Sequence, residues 1–160
     1  MRKPRAFALF LLLLFLGGCL ADDAVQEDST EIELYFMRVT KTSFELGSES
    51  RELKGSKPEL SALMHALLSG PREPELSRVI PEDVQLLDSE IQDDLACLDF
   101  SAQLAEVSWG SESEAVLVDS IVLTALQLED VQQVQILVEG ETIESLAGHV
   151  AIDRPLPAPR

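Results

Sequence analysis

The chain has 160 residues, with 29 acidic and 12 basic side chains and a formal net charge of −17 at pH 7. So acidic a surface repels phosphate backbones and anionic headgroups, which excludes nucleic acid as a partner. Aromatic residues make up only 5% of the chain, too few for the stacking platforms of a sugar-binding cleft.

Residues 1–18 have the layout of a secretory signal. The basic stretch "MRKPR" precedes the apolar run "AFALFLLLLFL", which is shorter than the roughly 20 residues of a membrane-spanning helix. The run ends in "LGGC", which resembles the bacterial lipobox. That resemblance implies diacylglycerol transfer to the Cys19 thiol, cleavage before Cys19 and acylation of the new amino terminus. The alternative is a soluble secreted protein in which Cys19 merely lies near the cleavage site.

Lipidation of Cys19 would determine where the protein resides. Processing would remove Arg2, Lys3 and Arg5 and leave 9 basic against 29 acidic residues, a net charge of −20. Membrane contact would then depend on acyl chains, of which two or three anchor a protein stably. We expect an extracytoplasmic protein anchored by lipid to the cell membrane, or to the outer membrane in a diderm source.

Residues 19–30 are acidic and lack a sustained apolar period, which predicts a flexible tether ahead of a domain at 31–156. Within that domain, Cys97 has no intramolecular partner once Cys19 is lipidated. We expect it to be buried as a small hydrophobe, and an intermolecular disulfide is the alternative. The remaining residues, 157–160, form a proline-rich tail.

The domain opens with two strand patterns. Residues 31–39 alternate apolar and polar positions, which predicts a strand. Residues 43–54 predict a second, less regular strand, with Gly47 and Ser48 at a turn or bulge.

A helix is predicted over residues 57–68, where the apolar residues form one stripe at the helical period. Ser56 and Glu59 have the spacing of a capping box at its start. Gly70 supplies a left-handed residue just past its end, and the following proline prevents continuation. We expect residues 79–80 to return to the core.

Residues 84–92 and 95–101 predict a hairpin around Asp93-Asp94. An irregular connection over 101–110 carries the only tryptophan of the sequence. Residues 111–114 form a second capping box, which opens "AVLVDSIVLTALQLE". Its β-branched residues would allow a strand, but its length and cap predict a helix.

Residues 131–140 predict a strand with its apolar side chains on one face, followed by a tight turn at 139–141 and a short edge segment at 142–152. The order of elements is therefore β-β-α-β-β-α-β. It predicts an α+β, two-layer domain in which two helices pack on one face of a mixed or antiparallel sheet.

Several segments together resemble one family. In chain order they are "LYFM", "ALMHALLSGP", "IPEDVQLLD", "ACLDFS", "IVLTALQLEDVQQVQILVEGE" and "AIDRPL". Their order and spacing resemble the GerMN domain over residues 31–156. The resemblance implies a small interaction module on a bacterial lipoprotein of the cell envelope, with a role in sporulation or germination. Two features depart from the family: the domain occurs once rather than in tandem, and Asp93-Asp94 replaces the usual glycine of the hairpin turn.

Candidate chemistry is sparse. His65 and His149 lie far apart in the sequence, and a zinc site would need more ligands at close spacing. Carboxylates near the hairpin could bind calcium if they converged, but they lack the regular calcium-loop pattern and are otherwise a solvated acidic face. These residues are Asp83, Asp88, Glu90, Asp93, Asp94 and Asp99. There is no nucleophile elbow, Cys97–His pair or glycine-rich phosphate loop. We therefore expect no catalytic residue, cofactor or metal.

Two functions remain. The first is a non-catalytic, lipid-anchored interaction module whose edge strands pair with a protein of the envelope. The alternative is an envelope enzyme or ligand-binding lipoprotein that acts on peptidoglycan. The residue pattern favours the first, and it leaves the partner and the oligomeric state open.

Overall fold

The computed structural model describes residues 28–106, 108 and 110–159. Two helices and five strands follow one another in the predicted order, which confirms the α+β class. A short 3-10 helix, Ala102–Ala105, lies in the predicted irregular connection. The strands and helices are β1 (Ser29–Val39), β2 (Phe44–Lys54), α1 (Leu60–Leu68), β3 (Leu86–Gln92), β4 (Leu95–Phe100), α2 (Ser111–Ala125) and β5 (Gln133–Val138).

Part of the predicted organisation concerns residues outside this description. The signal at residues 1–18, the lipidation site Cys19, most of the tether and Trp109 lie outside the described residues and stay predictions. Among the described helices, none is long and apolar enough to cross a membrane.

The strands form two sheets instead of the single sheet that the sequence predicted. Strands β1 and β2 pair antiparallel, in continuous register. Strand β4 lies at the centre of the second sheet, antiparallel to β3 and parallel to β5. Helix α2 contacts both strands of the first sheet, and α1 contacts α2 and β3. One hydrophobic core therefore joins both sheets and both helices.

Alternation along β4 and β5 builds the centre of this core. The inward residues of β4 are Ala96, Leu98 and Phe100, all fully buried, and those of β5 are Val134, Ile136 and Val138. Residues 79–80 are also buried, as predicted. Burial of a large apolar side chain stabilises the fold by roughly 1.5–3 kcal/mol relative to exposure, so this alternation is the main determinant of the second sheet.

Neither predicted capping box forms. Helix α1 begins at Leu60, because Glu59 has extended backbone angles, and no side chain caps its first turn. Helix α2 begins after Gly110, again without a side-chain cap. The Glu114 side chain instead turns inward and accepts hydrogen bonds from a later segment of the chain. A tertiary contact has thus replaced the local one.

Gly47 was expected at a turn or bulge, and this prediction is wrong. It pairs with Phe36 in the unbroken register of β1 and β2. The reason for a glycine is space: a Cβ at position 47 would lie 2.6 Å from Leu76 Cδ2. Residues 70–77 cross beneath the first sheet at this point, and Leu76 is buried there.

The predicted edge segment at 142–152 is also wrong, because those residues form no regular strand. Leu156 pairs with Val134 at the edge of β5 instead. The preceding turn is confirmed, with left-handed backbone at Glu139 and Gly140.

Gly70 ends α1 as predicted. Its φ of +82° is in the left-handed region, and its N–H donates to the carbonyl of Leu67. The Arg78 guanidinium donates to the carbonyls of Leu68 and Ser69 and lies against the open Cα face of Gly70, where it would clash with a Cβ.

We expect Gly70→Ala to destabilise the fold by more than the roughly 1–2 kcal/mol of left-handed strain alone, because the new methyl group also displaces Arg78. Gly148→Ala is the matched control, since Gly148 has a φ of +90° but no atom lies within 4 Å of the place that its added Cβ would take. Urea unfolding measures both. Equal losses in the two variants would show that the contact with Arg78 contributes nothing.

Candidate interaction surface

A buried ion pair on the inner face of β2 holds the end of α1. Glu49 and Arg51 are 7% and 6% exposed, and Arg51 Nε donates to Glu49 Oε1 at 2.6 Å. Arg51 Nη1 donates to the Ala66 carbonyl at 3.0 Å and to Ser69 Oγ at 2.7 Å. Its Nη2 donates to the Gly70 carbonyl. The guanidinium therefore satisfies carbonyl groups at the helix C-terminus, where a cation is also favoured by the helix dipole.

The second carboxylate oxygen of Glu49 holds the chain just beyond the helix. It accepts the backbone N–H groups of Arg72 at 2.8 Å and Glu73 at 2.9 Å. Burial alone would raise the pKa of Glu49, but the N–H groups of Glu73 and Arg72 and the Arg51 guanidinium outweigh it and lower that pKa. We call Glu49, Arg51 and the segment 66–73 that they bind the β2 clamp.

The clamp leaves a cleft beside the middle of β2. This cleft has a volume of about 310 Å³, and Ser48 and Ser50 form its strand side. Glu73, Glu75 and Leu76 form the opposite side. Both glutamates are exposed, as is Arg38, which also lines the cleft, so the exposed part of the lining carries more acidic than basic side chains.

The outer edge of β1 is closed by side chains and by one further segment. The Gln127 side chain accepts the Glu33 N–H at 2.7 Å and donates to the Glu33 carbonyl. Ser120 donates to the Tyr35 carbonyl. Met37 exchanges two backbone hydrogen bonds with Ser77, at 3.1 and 2.7 Å. These contacts occupy the backbone groups through which β1 would pair with another strand.

The same contacts establish which groups of β2 face outward. Because positions 33, 35 and 37 direct their backbone groups away from β2, the opposite residues Ser50, Ser48 and Leu46 must direct theirs away from β1. Within the described part of the chain, no hydrogen bond involves the backbone N–H or C=O of these three residues. The outer edge of β2 is therefore open.

The two edges of the second sheet are less open than the outer edge of β2. On β3 the register shifts between Leu86 and Asp88, and the bulged Leu87 is 47% exposed. A bulge of this kind discourages further pairing. On β5, Val134 exchanges two backbone hydrogen bonds with Leu156, at 2.9 and 2.8 Å, so the end of the domain covers part of that edge.

Two further cavities flank the exposed Lys57–Asp130 ion pair, with volumes of about 300 and 470 Å³. Lys57, Pro58 and Leu128 line both of them. Lys57 Nζ donates to Asp130 Oδ2 at 2.5 Å. The Lys57 ammonium group, which lies between the two cavities, is therefore already paired with a carboxylate of the same chain.

A second buried carboxylate fixes the C-terminal segment. Glu114 on α2 is 1% exposed and accepts the N–H groups of Leu146 at 3.1 Å, Ala147 at 2.9 Å and His149 at 2.9 Å. His149 Nδ1 also lies 2.9 Å from Glu114 Oε2. Burial acts to raise the pKa of Glu114, but the Ala147 N–H and the His149 contacts prevail and lower it.

The residues considered for metal chemistry do not converge. His65 is exposed on α1, whereas His149 lies against Glu114. Among the described residues, no group of three or more His, Cys, Asp or Glu side chains could hold a metal ion. Of the calcium candidates, Asp99 accepts the Gly140 N–H at 2.8 Å and Asp88 accepts the Ser89 N–H at 2.8 Å. These two carboxylates therefore accept hydrogen bonds from backbone N–H groups of the chain.

Cys97 is half-buried rather than fully buried as expected. It lies on the outward face of β4, opposite Glu90. Burial and the nearby Glu90 charge raise the pKa of the Cys97 thiol, which disfavours the nucleophilic thiolate.

Sequence reasoning missed the residues that shape this surface: Glu49, Arg51 and Glu114. A signal for the first two was present, since they share the inward register of β2 with Gly47 and face Ile32 and Leu34 across the sheet. A buried charge is costly unless it is paired, so a carboxylate and a guanidinium two residues apart on a buried face predict an ion pair. For Glu114, the local capping pattern concealed the tertiary role.

We expect Glu114→Gln to lower the free energy of unfolding at pH 7 by about 1–3 kcal/mol, because an amide cannot accept all the buried N–H groups. Glu114 has a folded-state pKa below its ordinary 4.5, so its stabilisation is complete above that value and is lost as the pH falls through the folded pKa. The variant should therefore lose less stability than the native chain below pH 4.5.

Glu112→Gln is the matched control, since Glu112 is exposed in the first turn of the same helix. Urea unfolding at pH 7 and in a series below pH 4.5 measures the effect. Parallel stability–pH curves for native chain and Glu114→Gln would contradict the assigned role.

Three solved structures resemble this fold. The tandem GerMN domains of the sporulation protein GerM from Bacillus subtilis match with a TM-score of 0.67 at 23% identity, over 82% of this chain and 46% of that one. The first GerMN domain of the same protein matches with a TM-score of 0.58 at 20% identity, over 80% of this chain and 97% of that one. A candidate lipoprotein from Clostridium perfringens matches with a TM-score of 0.58 at 25% identity, over 86% and 92%.

This chain thus spans about half the length of the tandem-domain protein. Comparison with curated protein sequences gave no significant match. The family model described as Germane, sporulation and spore germination, matches residues 33–144, which is most of the chain. The resemblance to the GerMN domain is confirmed, and the chain belongs to the Germane family of sporulation and spore germination domains.

Proposed function

We propose that this protein is a non-catalytic, lipid-anchored interaction module that works in the bacterial cell envelope during sporulation or germination. The observation that carries the proposal is the open outer edge of β2, bordered by an acidic cleft whose lining includes residues positioned by the β2 clamp. An open strand edge recruits another protein through backbone hydrogen bonds, with specificity from the adjacent pockets. The partner would be an envelope protein.

The anchor is proposed at Cys19. Its support is the sequence "LGGC" after an apolar run, together with the similarity to the candidate lipoprotein from Clostridium perfringens. Acyl chains would attach the protein to the cell membrane or, in a diderm source, to the outer membrane. A net charge of −20 after processing would keep the domain off anionic headgroups.

The proposed layout places the working surface beyond a spacer. Residues 1–18 would be removed, residues 19–30 would form the tether, and the module would occupy 31–156. Strand β1 starts at Ser29, so residues 29 and 30 of the proposed tether already belong to the first strand of the module, and the family match starts at residue 33.

Cys19→Ser tests the anchor. Because the serine hydroxyl cannot accept the diacylglycerol, we expect the variant to remain unprocessed or to be released in soluble form. Metabolic labelling with palmitate and membrane fractionation measure this, and Cys97→Ser is the matched control. Palmitate that still labels the Cys19→Ser protein would contradict the anchor.

Incubation of the purified protein with peptidoglycan tests the absence of catalysis. The proposal predicts that no soluble fragments are released. If fragments appear and a single carboxylate substitution abolishes their release, the protein is an envelope hydrolase and the interaction-module proposal is wrong.

A further inference from the structure

We infer that the outer edge of β2 binds an extended, basic segment of a partner protein, which adds to the β1–β2 sheet as a third strand. This deepens the proposed function, on which it rests, because it identifies the binding edge and the chemistry of the partner. Three features of the described residues support it. These are the outward backbone N–H and C=O groups of β2, the cleft beside them, and the charged side chains along the strand and the cleft.

The backbone row is regular. Ser50, Ser48 and Leu46 direct their N–H and C=O groups outward, and β2 pairs with β1 over eleven residues without a register shift. Ser48 and Ser50 are exposed, so small side chains leave the backbone accessible. An incoming strand could therefore form several consecutive hydrogen bonds.

The cleft gives such a strand a place for one side chain. Successive side chains of a strand point to opposite faces of a sheet, so alternate residues of the incoming segment would point toward the inner face. The cleft of about 310 Å³ opens on that edge at Ser48 and Ser50, with Glu73 and Glu75 on its far side. A lysine or arginine that enters the cleft would meet these two carboxylates.

The charge along the edge favours a basic segment. Glu45 and Glu52 are exposed on β2 itself, and Glu73 and Glu75 are exposed across the cleft. Arg38 is the basic residue in the cleft lining, and Lys54 on β2 and Arg72 beside Glu73 are also exposed. The four carboxylates outnumber these three cations, so opposite charges on the partner would be attracted and like charges repelled.

The same charges argue against a second copy of this chain as the occupant. Pairing two β2 edges would bring the exposed Glu45 and Glu52 of each copy into one small sheet. The net charge of each copy, −17 for the whole sequence, would add long-range repulsion. The occupant is therefore a different protein with an exposed basic strand or extended segment.

The test uses the full chain solubilised in a non-ionic detergent and a short synthetic peptide of alternating lysine and threonine. A second peptide carries glutamate in place of each lysine. Fluorescence anisotropy measures affinity, and amide hydrogen exchange locates the contact. We expect only the lysine peptide to bind, and to slow exchange at Leu46, Ser48 and Ser50. Equal binding of both peptides, or protection elsewhere than β2, would overturn the inference.

Ser50→Pro and Ser50→Ala separate the backbone from the side chain. Both lose the Ser50 hydroxyl, which donates to Glu33 Oε1 at 3.0 Å, but only proline removes the outward N–H. Proline is tolerated where a strand N–H faces solvent. We expect Ser50→Pro to weaken peptide binding by roughly an order of magnitude and Ser50→Ala to leave it unchanged. Equal affinities of the two variants would contradict strand addition.

A charge variant tests the cleft without touching the strand. Glu73→Gln with Glu75→Gln should weaken binding several-fold, whereas Glu141→Gln with Glu144→Gln, an equal change in net charge on exposed residues, should not. Equal weakening by the two pairs would leave only non-specific attraction and overturn the cleft assignment.

Failure of this inference can be distinguished from failure of the proposed function. Loss of peptide binding at β2 would reject this edge and this chemistry, while membrane fractionation and the peptidoglycan incubation would still decide whether the protein is an anchored, non-catalytic module.

Discussion

The Glu49–Arg51 pair on the inner face of β2 determines the path of the chain after its first helix. Between them the two side chains bond the backbone groups of Ala66, Gly70, Arg72 and Glu73, together with the Ser69 hydroxyl. Residues 70–77 can then cross beneath the first sheet and pair with β1 at Met37. Without the clamp, the buried carbonyl of Gly70 would lack a partner, at a cost of about 1–3 kcal/mol, and the part-buried N–H groups of Arg72 and Glu73 would lose theirs.

A buried ion pair is not in itself a strong stabiliser, because desolvation of both charges offsets most of their attraction. Its value here is structural. Removal of either partner leaves the other charge buried without a counter-ion, which costs about 3–5 kcal/mol. Any backbone conformation that separates Glu49 from Arg51 is therefore disfavoured. Glu114 acts in the same way on the C-terminal segment. Two irregular segments are thus positioned by carboxylates rather than by regular backbone pairing.

Period-two and period-3.6 patterns were sufficient to predict the order of elements, the inward faces of β4 and β5, and the glycine that ends α1. They failed where a distant residue decides the outcome. The capping box at residues 111–114 does not form, because Glu114 binds N–H groups more than thirty positions later. A single sheet was predicted because the bonds from Ser120 and Gln127 to β1 cannot be read from local patterns. Gly47 was assigned to a bulge because the approach of Leu76 is a tertiary contact. The open edge of β2 could not be predicted either, because it follows from the two-sheet arrangement and from the distant residues that occupy β1, and the cleft depends on the clamp.

One buried pair thus shapes one exposed surface: the clamp fixes residues 66–73, and Glu73, Glu75 and Leu76 of the crossing segment line the cleft beside β2. Amide hydrogen exchange of Glu49→Gln, with Glu52→Gln as an exposed control on the same strand, tests this link most directly. We expect faster exchange at Arg72, Glu73 and Ser77 in Glu49→Gln alone, with the amides of β4 and β5 still protected. Unchanged exchange at those three amides would show that the crossing segment holds its position without the clamp and would contradict the central claim.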